Sequence, residues 1–205
     1  MRTKNNTTAY RIGLKQRILD VAMPMFKQRG VKAVKMDEIA SKLTISKRTL
    51  YEIYENKETL LLEGIRRNHE AMDRYLENYA AKAGSEMEVL IEFLRVNMRE
   101  VQNISSDYIS DLNRYRSVID YLRDSGNKHH EKSGEFIRRG IENGYFIPNL
   151  NYDLFITVND AMLDYVMTAR LYEKYPLKDI MHTLVSIYIR GCCTEKGRQL
   201  LDKVI

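Results

Sequence analysis

The chain has 205 residues, 44% hydrophobic and 30% charged, an ordinary globular composition with room for one large domain or a small one joined to a larger. Only 3 prolines and 10 glycines argue against a loop-rich β fold, no apolar run is long enough to span a bilayer, and the polar start MRTKNNTTAYR lacks the apolar region of a secretory signal. The net charge of +5 hides an asymmetry: residues 1–57 carry 13 Lys+Arg against 5 Asp+Glu, whereas residues 58–205 carry 20 against 23. That balance suits a small module facing a polyanion and attached to a body that does not, although a merely solvated basic face gives the same count.

Taken in chain order, the pattern is helical almost throughout. In residues 11–29, Leu14, Ile18, Val21, Ala22, Met25 and Phe26 recur at three- and four-residue steps, and Gly30 follows as a stop. Pro24 lies inside this stripe and deletes the bond to the Asp20 carbonyl, so one helix bent near Asp20 is expected. A short helix over residues 37–43 turns Ile39, Ala40 and Leu43 inward, and Ser46 caps the next. Asn56 caps a long helix that starts at Lys57 and extends to about residue 83. Further amphipathic helices are expected over residues 86–103 and 107–124, with DSGNKHHEKSGE interrupting or kinking the chain before Phe136 and Ile137. Asn143-Gly144 and Pro148 mark a turn. Two last helices cover residues 152–173 and 177–203, and no strand is expected.

The stretch EIASKLTISKRTLYEIYENKETL holds two short helices parted by a very brief turn, the layout of a helix-turn-helix whose second helix enters the major groove. On that second helix Lys47, Arg48, Tyr51 and Glu52 share one face, while Leu50, Ile53 and Tyr54 share the other. The outer face therefore meets a ligand while the inner face packs. Lys47 and Arg48 donate to guanine or phosphate, Thr49 offers a hydroxyl and a methyl, and Glu52 fits only beside a donor such as the cytosine amine. Lys57, at the next helix's N-terminus, sits where backbone N–H groups favour a phosphate.

The segments RILDVAMPMFKQRG, MDEIASKL and ISKRTLYEIYENKETLL resemble the DNA-binding domain of the TetR (tetracycline-repressor-like) family of transcriptional regulators, over about residues 17–62. The resemblance implies an all-α dimeric repressor. Its three-helix helix-turn-helix domain, residues 1–57, is joined to a larger helical domain, residues 58–205, that binds a small-molecule effector and dimerises. It also places Ser46, Lys47, Arg48, Thr49, Tyr51 and Lys57 at DNA-contacting sites. Three positions depart from the family pattern: Thr44 stands where a turn glycine is usual, Lys35 where a capping threonine is common, and Ile53 where a histidine or aromatic residue is common. Lys35 then acts at the DNA through its charge alone.

The partners expected are thus an operator in double-stranded DNA, a second copy of the chain and an unidentified small, largely apolar effector, with no membrane and no cofactor. Phe93, Met98, Tyr115 and Met162 are the candidate effector lining, with plain core packing as the alternative. The dimer stripe is expected to hold Phe155, Val158, Met162, Tyr165 and Ala169 on one helix and Ile180, Leu184, Ile187, Tyr188 and Gly191 on the other, although an intramolecular core gives similar spacing. The long helix from Lys57 would carry a shift in one domain into the other. No catalytic set and no spaced metal-ligand set occurs, and the adjacent His129-His130 pair diverges on a helix. The adjacent Cys192 and Cys193 suggest reduced thiols and a cytoplasmic protein, with a vicinal redox pair as the alternative. A DNA-binding architectural protein without an effector remains the rival reading.

Overall fold

Sequence periodicity near 3.6 and scarce helix breakers yield helices α1 to α11 in a computed structural model that describes residues 2–203, except the side chains of residues 2–9, 127 and 130–132. The helices are α1 Arg2–Arg29, α2 Met36–Lys42, α3 Lys47–Ile53, α4 Lys57–Ala80, α5 Glu86–Val101, α6 Ser106–Leu112, α7 Arg116–Glu142, α8 Tyr152–Thr168, α9 Leu177–Leu184, α10 Arg190–Cys192 and α11 Glu195–Leu201. A π turn, Val185–Ile189, joins α9 to α10, and a 3₁₀ turn, Leu171–Glu173, follows α8. Among the described residues the only β contact is an isolated antiparallel bridge between Phe146 and Cys193. No described helix is long and apolar enough to cross a membrane.

Packing divides the chain into two units, Met1–Ala71 with Ile104–Leu122, and Met72–Asn103 with Arg123–Ile205. The first core is built on Ile18, Phe26, Val31, Ile39, Leu50, Leu60 and Leu61, with Tyr108 of α6 and Val118 of α7 joining it. The second is built on Met87, Leu94, Phe146, Val185, Cys193 and Leu201. Helices α4 and α7 each contribute residues to both units. The chain stretch of α6 thus packs with α1, a non-local pairing that sequence periodicity does not report.

Local chemistry sets the joints. Gly30 takes φ +81° and its N–H donates to the Phe26 carbonyl at 2.9 Å, closing α1. A Cβ there would stand 3.0 Å from Asp107 Cβ and from Asp111 Oδ2 of α6, so the position needs glycine twice over. Ser46 Oγ accepts the Thr49 N–H at 3.0 Å and Asn56 Oδ1 accepts the Thr59 N–H at 2.9 Å, capping α3 and α4 as expected.

Thr44 meets the tight turn by entering the left-handed region itself, with φ 57°. For a β-branched residue this conformation is strained, and the side chain is exposed, so it recovers nothing by packing. Thr44→Gly is expected to stabilise the protein by about 1 kcal/mol. A rise in the thermal midpoint checks this; a fall would show that the threonine is held by contacts rather than strained.

Four helix assignments are corrected. The long helix from Lys57 ends at Ala80 rather than near residue 83. The break expected in DSGNKHHEKSGE falls instead between Leu112 and Arg116, and α7 runs through that stretch. It holds no proline, and a Cβ at Gly126 or Gly134 would touch nothing, so each costs the helix only about 1 kcal/mol of propensity. Helix α8 ends at Thr168 because Arg170 enters the left-handed region with φ 50°. The last helix is broken at Cys193, whose extended backbone bridges to Phe146. Thr194 then caps α11 and donates its hydroxyl to the Gly144 carbonyl at 2.7 Å, fastening the break to the 143–146 turn.

Candidate nucleic-acid interface

Helices α2 and α3 meet across residues 43–46, and the Ile45 N–H donates to the Ala40 carbonyl at 3.1 Å to close the corner. Leu50, Ile39 and Ala40 are buried beneath, as is Tyr54 just past the end of α3. Arg48 projects outward with its side chain 89% exposed, and Tyr51 is 42% exposed on the same face. Lys47 is also exposed and lies 6.0 Å from the Tyr51 ring centroid, while Thr49 is half-buried. The structure therefore gathers Lys47, Arg48, Tyr51 and Glu52 on one outward face of α3.

Two of the cations carry intramolecular counter-charges. Lys47 Nζ stands 2.8 Å from Asp37 Oδ1, and hydrogen bonding to that carboxylate raises the lysine pKa from its ordinary value. Arg48 Nε stands 2.9 Å from Glu52 Oε1, one turn along α3. Arg29 and Glu38 form a further pair. The partnership of Lys47 with Asp37 is invisible to sequence reading, because it joins α2 to α3. The only local signal is an acidic pair, Asp37 and Glu38, in the first turn of α2, where the helix dipole suits it.

Ser46 spends its oxygen on the α3 cap and shares a 2.8 Å hydrogen bond with Thr49 Oγ1. Lys35 is exposed at the N-cap of α2 and makes no capping bond through its side chain. Lys57 is turned inward. Its ammonium donates to the carbonyls of Val31 at 2.9 Å, Lys32 at 3.1 Å and Val34 at 2.6 Å, so its three donors match three acceptors in the α1–α2 loop. Burial lowers the Lys57 pKa, and the Asp111 carboxylate opposes that shift. Asp111 accepts the Lys32 N–H at 2.7 Å, so the same loop is held on its carbonyl side by α4 and on its amide side by α6.

In the second unit an open groove of about 560 Å³ lies between α7 and α8, walled by Ile137, Ile141, Tyr152 and Ile156 and edged by Arg138 and Asp153. None of Phe93, Met98, Tyr115 and Met162 lines it. Phe93 is 40% exposed, Tyr115 packs against the first core, Met98 is half-buried, and Met162 receives the Tyr188 hydroxyl at 3.8 Å.

Of the expected dimer stripe, Phe155 and Tyr188 face each other at 6.1 Å between ring centroids, and Leu184 is buried. Ile180 is half-buried, while Tyr165 and Gly191 are exposed. The apolar residues left open on α8 are Val158 and Tyr165 of the expected stripe together with Leu154, Ala161 and Leu163. Ile187 is 58% exposed on the π turn.

His129 Nε2 lies 3.7 Å from Asp73, while the side chain of His130 is outside the described residues. Among the described residues no three His, Cys, Asp or Glu side chains converge as a metal site. Cys192 and Cys193 are buried free thiols that both donate to the Ile189 carbonyl at 3.1 Å.

Residues 18–63 match the family described as bacterial regulatory proteins, tetR family. No curated protein matches the chain. Among solved structures, a transcriptional regulator from Cytophaga hutchinsonii is similar with TM-score 0.67 and 20% identity, over 89% of this chain and 100% of that one. A candidate transcriptional regulator from Saccharomonospora viridis, in complex with choline, gives TM-score 0.68 and 19% identity over 89% of this chain and 99% of that one. A complex of SmeT with triclosan gives 0.63 and 14% over 89% and 93%. At these identities the likeness establishes the fold.

Proposed function

We propose that the chain is a sequence-specific DNA-binding transcriptional regulator, because residues 18–63 match the tetR family of bacterial regulatory proteins. In this reading it is a homodimeric repressor that leaves its operator when a small, largely apolar effector binds. Residues 1–57 carry the DNA contacts and residues 58–205 carry effector binding and dimerisation. The observation that carries the reading is the outward face of α3, with Arg48 and Tyr51 exposed over a buried Leu50, inside the segment that matches the family.

Arg48 is the base reader in this account, and Lys47, Tyr51 and the exposed Lys35 supply phosphate and edge contacts. Arg48→Ala is expected to cost about 1–3 kcal/mol against the selected binding sequence and to relax preference at one base position. Selection of bound fragments from a random duplex pool, repeated with the variant, checks this. An unchanged consensus and affinity would remove Arg48 from the reading head.

Two similar folds were solved with small molecules, choline and triclosan, which supports a small effector here. The open groove between α7 and α8 offers apolar walls, with Arg138 and Asp153 at its edge for one polar group. Helix α4 is continuous from Lys57 into the second unit, so a ligand that binds the DNA-free state more tightly than the DNA-bound state lowers DNA affinity by its differential affinity for the two states. The open apolar row of α8, with Ile187 and Gly191, supports a two-fold pairing of α8 and the α9–α10 run with their mates.

A further inference from the structure

The cations that should meet DNA are not idle before it arrives. Lys47 is held at 2.8 Å and 3.0 Å by the two oxygens of Asp37, and both side chains are about 60% exposed. Asp37 belongs to α2, so it reaches the reading helix from outside and sits on the surface that a phosphate must approach. Its charge acts twice. It neutralises Lys47, and it repels any phosphate drawn to Lys47. An ordinary phosphate contact by Lys47 must therefore displace or share Asp37, whereas a duplex that engages the whole face offsets that loss with its other contacts.

We propose that Asp37 is a specificity-setting residue: it masks Lys47 from duplex DNA in general and yields it only to a sequence that α3 can engage fully. This rests on the DNA-binding reading above. Asp37 acts through Lys47, so it is a positioning residue rather than a contact. An exposed pair of this kind is weak in isolation, which fits a mask that must be removable.

The test uses the full-length chain, a random-sequence duplex of about 20–30 base pairs, and a duplex selected by the wild-type chain from a random pool. Asp37→Asn keeps the size, retains one acceptor oxygen and removes the charge. Random-duplex affinity should rise about 3-fold at 0.1 M salt, and the slope of log affinity against log salt should steepen by about one contact. The selected duplex should gain less, so the ratio of selected to random affinity falls. The same substitution in a Lys47→Ala background should leave both the affinity and the slope of that background nearly unchanged, a result that mere loss of a negative surface charge would not give. A wild-type chain that binds no duplex overturns the DNA-binding reading itself. A wild-type chain that binds, with Asp37→Asn either without effect or equally effective without Lys47, overturns the mask and leaves that reading standing.

Discussion

Lys57→Ala is expected to lower folding stability by about 2–4 kcal/mol and to weaken binding to all duplexes alike. The ammonium gathers three loop carbonyls at 2.6 to 3.1 Å, two of them part-buried, so truncation leaves acceptors without partners and releases the α1–α2 loop. That loop leads directly into α2, and the shelf it forms carries the helix-turn-helix. Lys57→Arg should restore little, because a planar fork cannot gather three carbonyls as a compact ammonium does. Urea unfolding read beside a DNA titration separates the two effects. Full stability with weakened binding would return Lys57 to a direct phosphate contact.

Val158→Asp is expected to convert the homodimer to monomer at micromolar concentration. The proposed two-fold interface would place this carboxylate in apolar surroundings on both subunits, at a cost of several kcal/mol per dimer. Val158 is 46% exposed, so the substitution removes little of the chain's own core. Tyr188→Asp is a poorer test, since that ring packs on Phe155 and its hydroxyl meets Met162. Sedimentation with far-ultraviolet circular dichroism reads both assembly and fold. A wild-type monomer, or an unaltered dimer in the variant, would contradict the pairing.

Much of the reading helix was legible because its signals are local. Ser46 and Asn56 sit at caps, Gly30 ends α1, and the alternation of Arg48 and Tyr51 with Leu50 and Tyr54 separates the outward residues from the buried ones. What was missed depends on residues distant in sequence. The inward turn of Lys57 needs the 31–34 carbonyls, and the masking of Lys47 needs Asp37. The packing of Ile104–Leu122 with the first unit needs Gly30 beside Asp107 and Asp111. Helix ends failed for a related reason. Arg170 and Cys193 carry no breaker chemistry of their own, and the bridge to Phe146 fixes the second. The expected dimer stripe mixes open residues, Val158, Tyr165 and Ile187, with Phe155 and Leu184, which satisfy helical spacing equally well as intramolecular core.

The most direct test of DNA binding through the basic first unit is the affinity of the full-length chain for duplex DNA as salt is varied. A face that contacts six or more phosphates per dimer should lose on the order of a thousandfold in affinity between about 50 and 200 mM salt, with Arg48→Ala shifting the line for the selected sequence. Affinity that stays flat across that range, or no measurable binding at the lowest salt, would contradict the assignment of α2 and α3 to DNA.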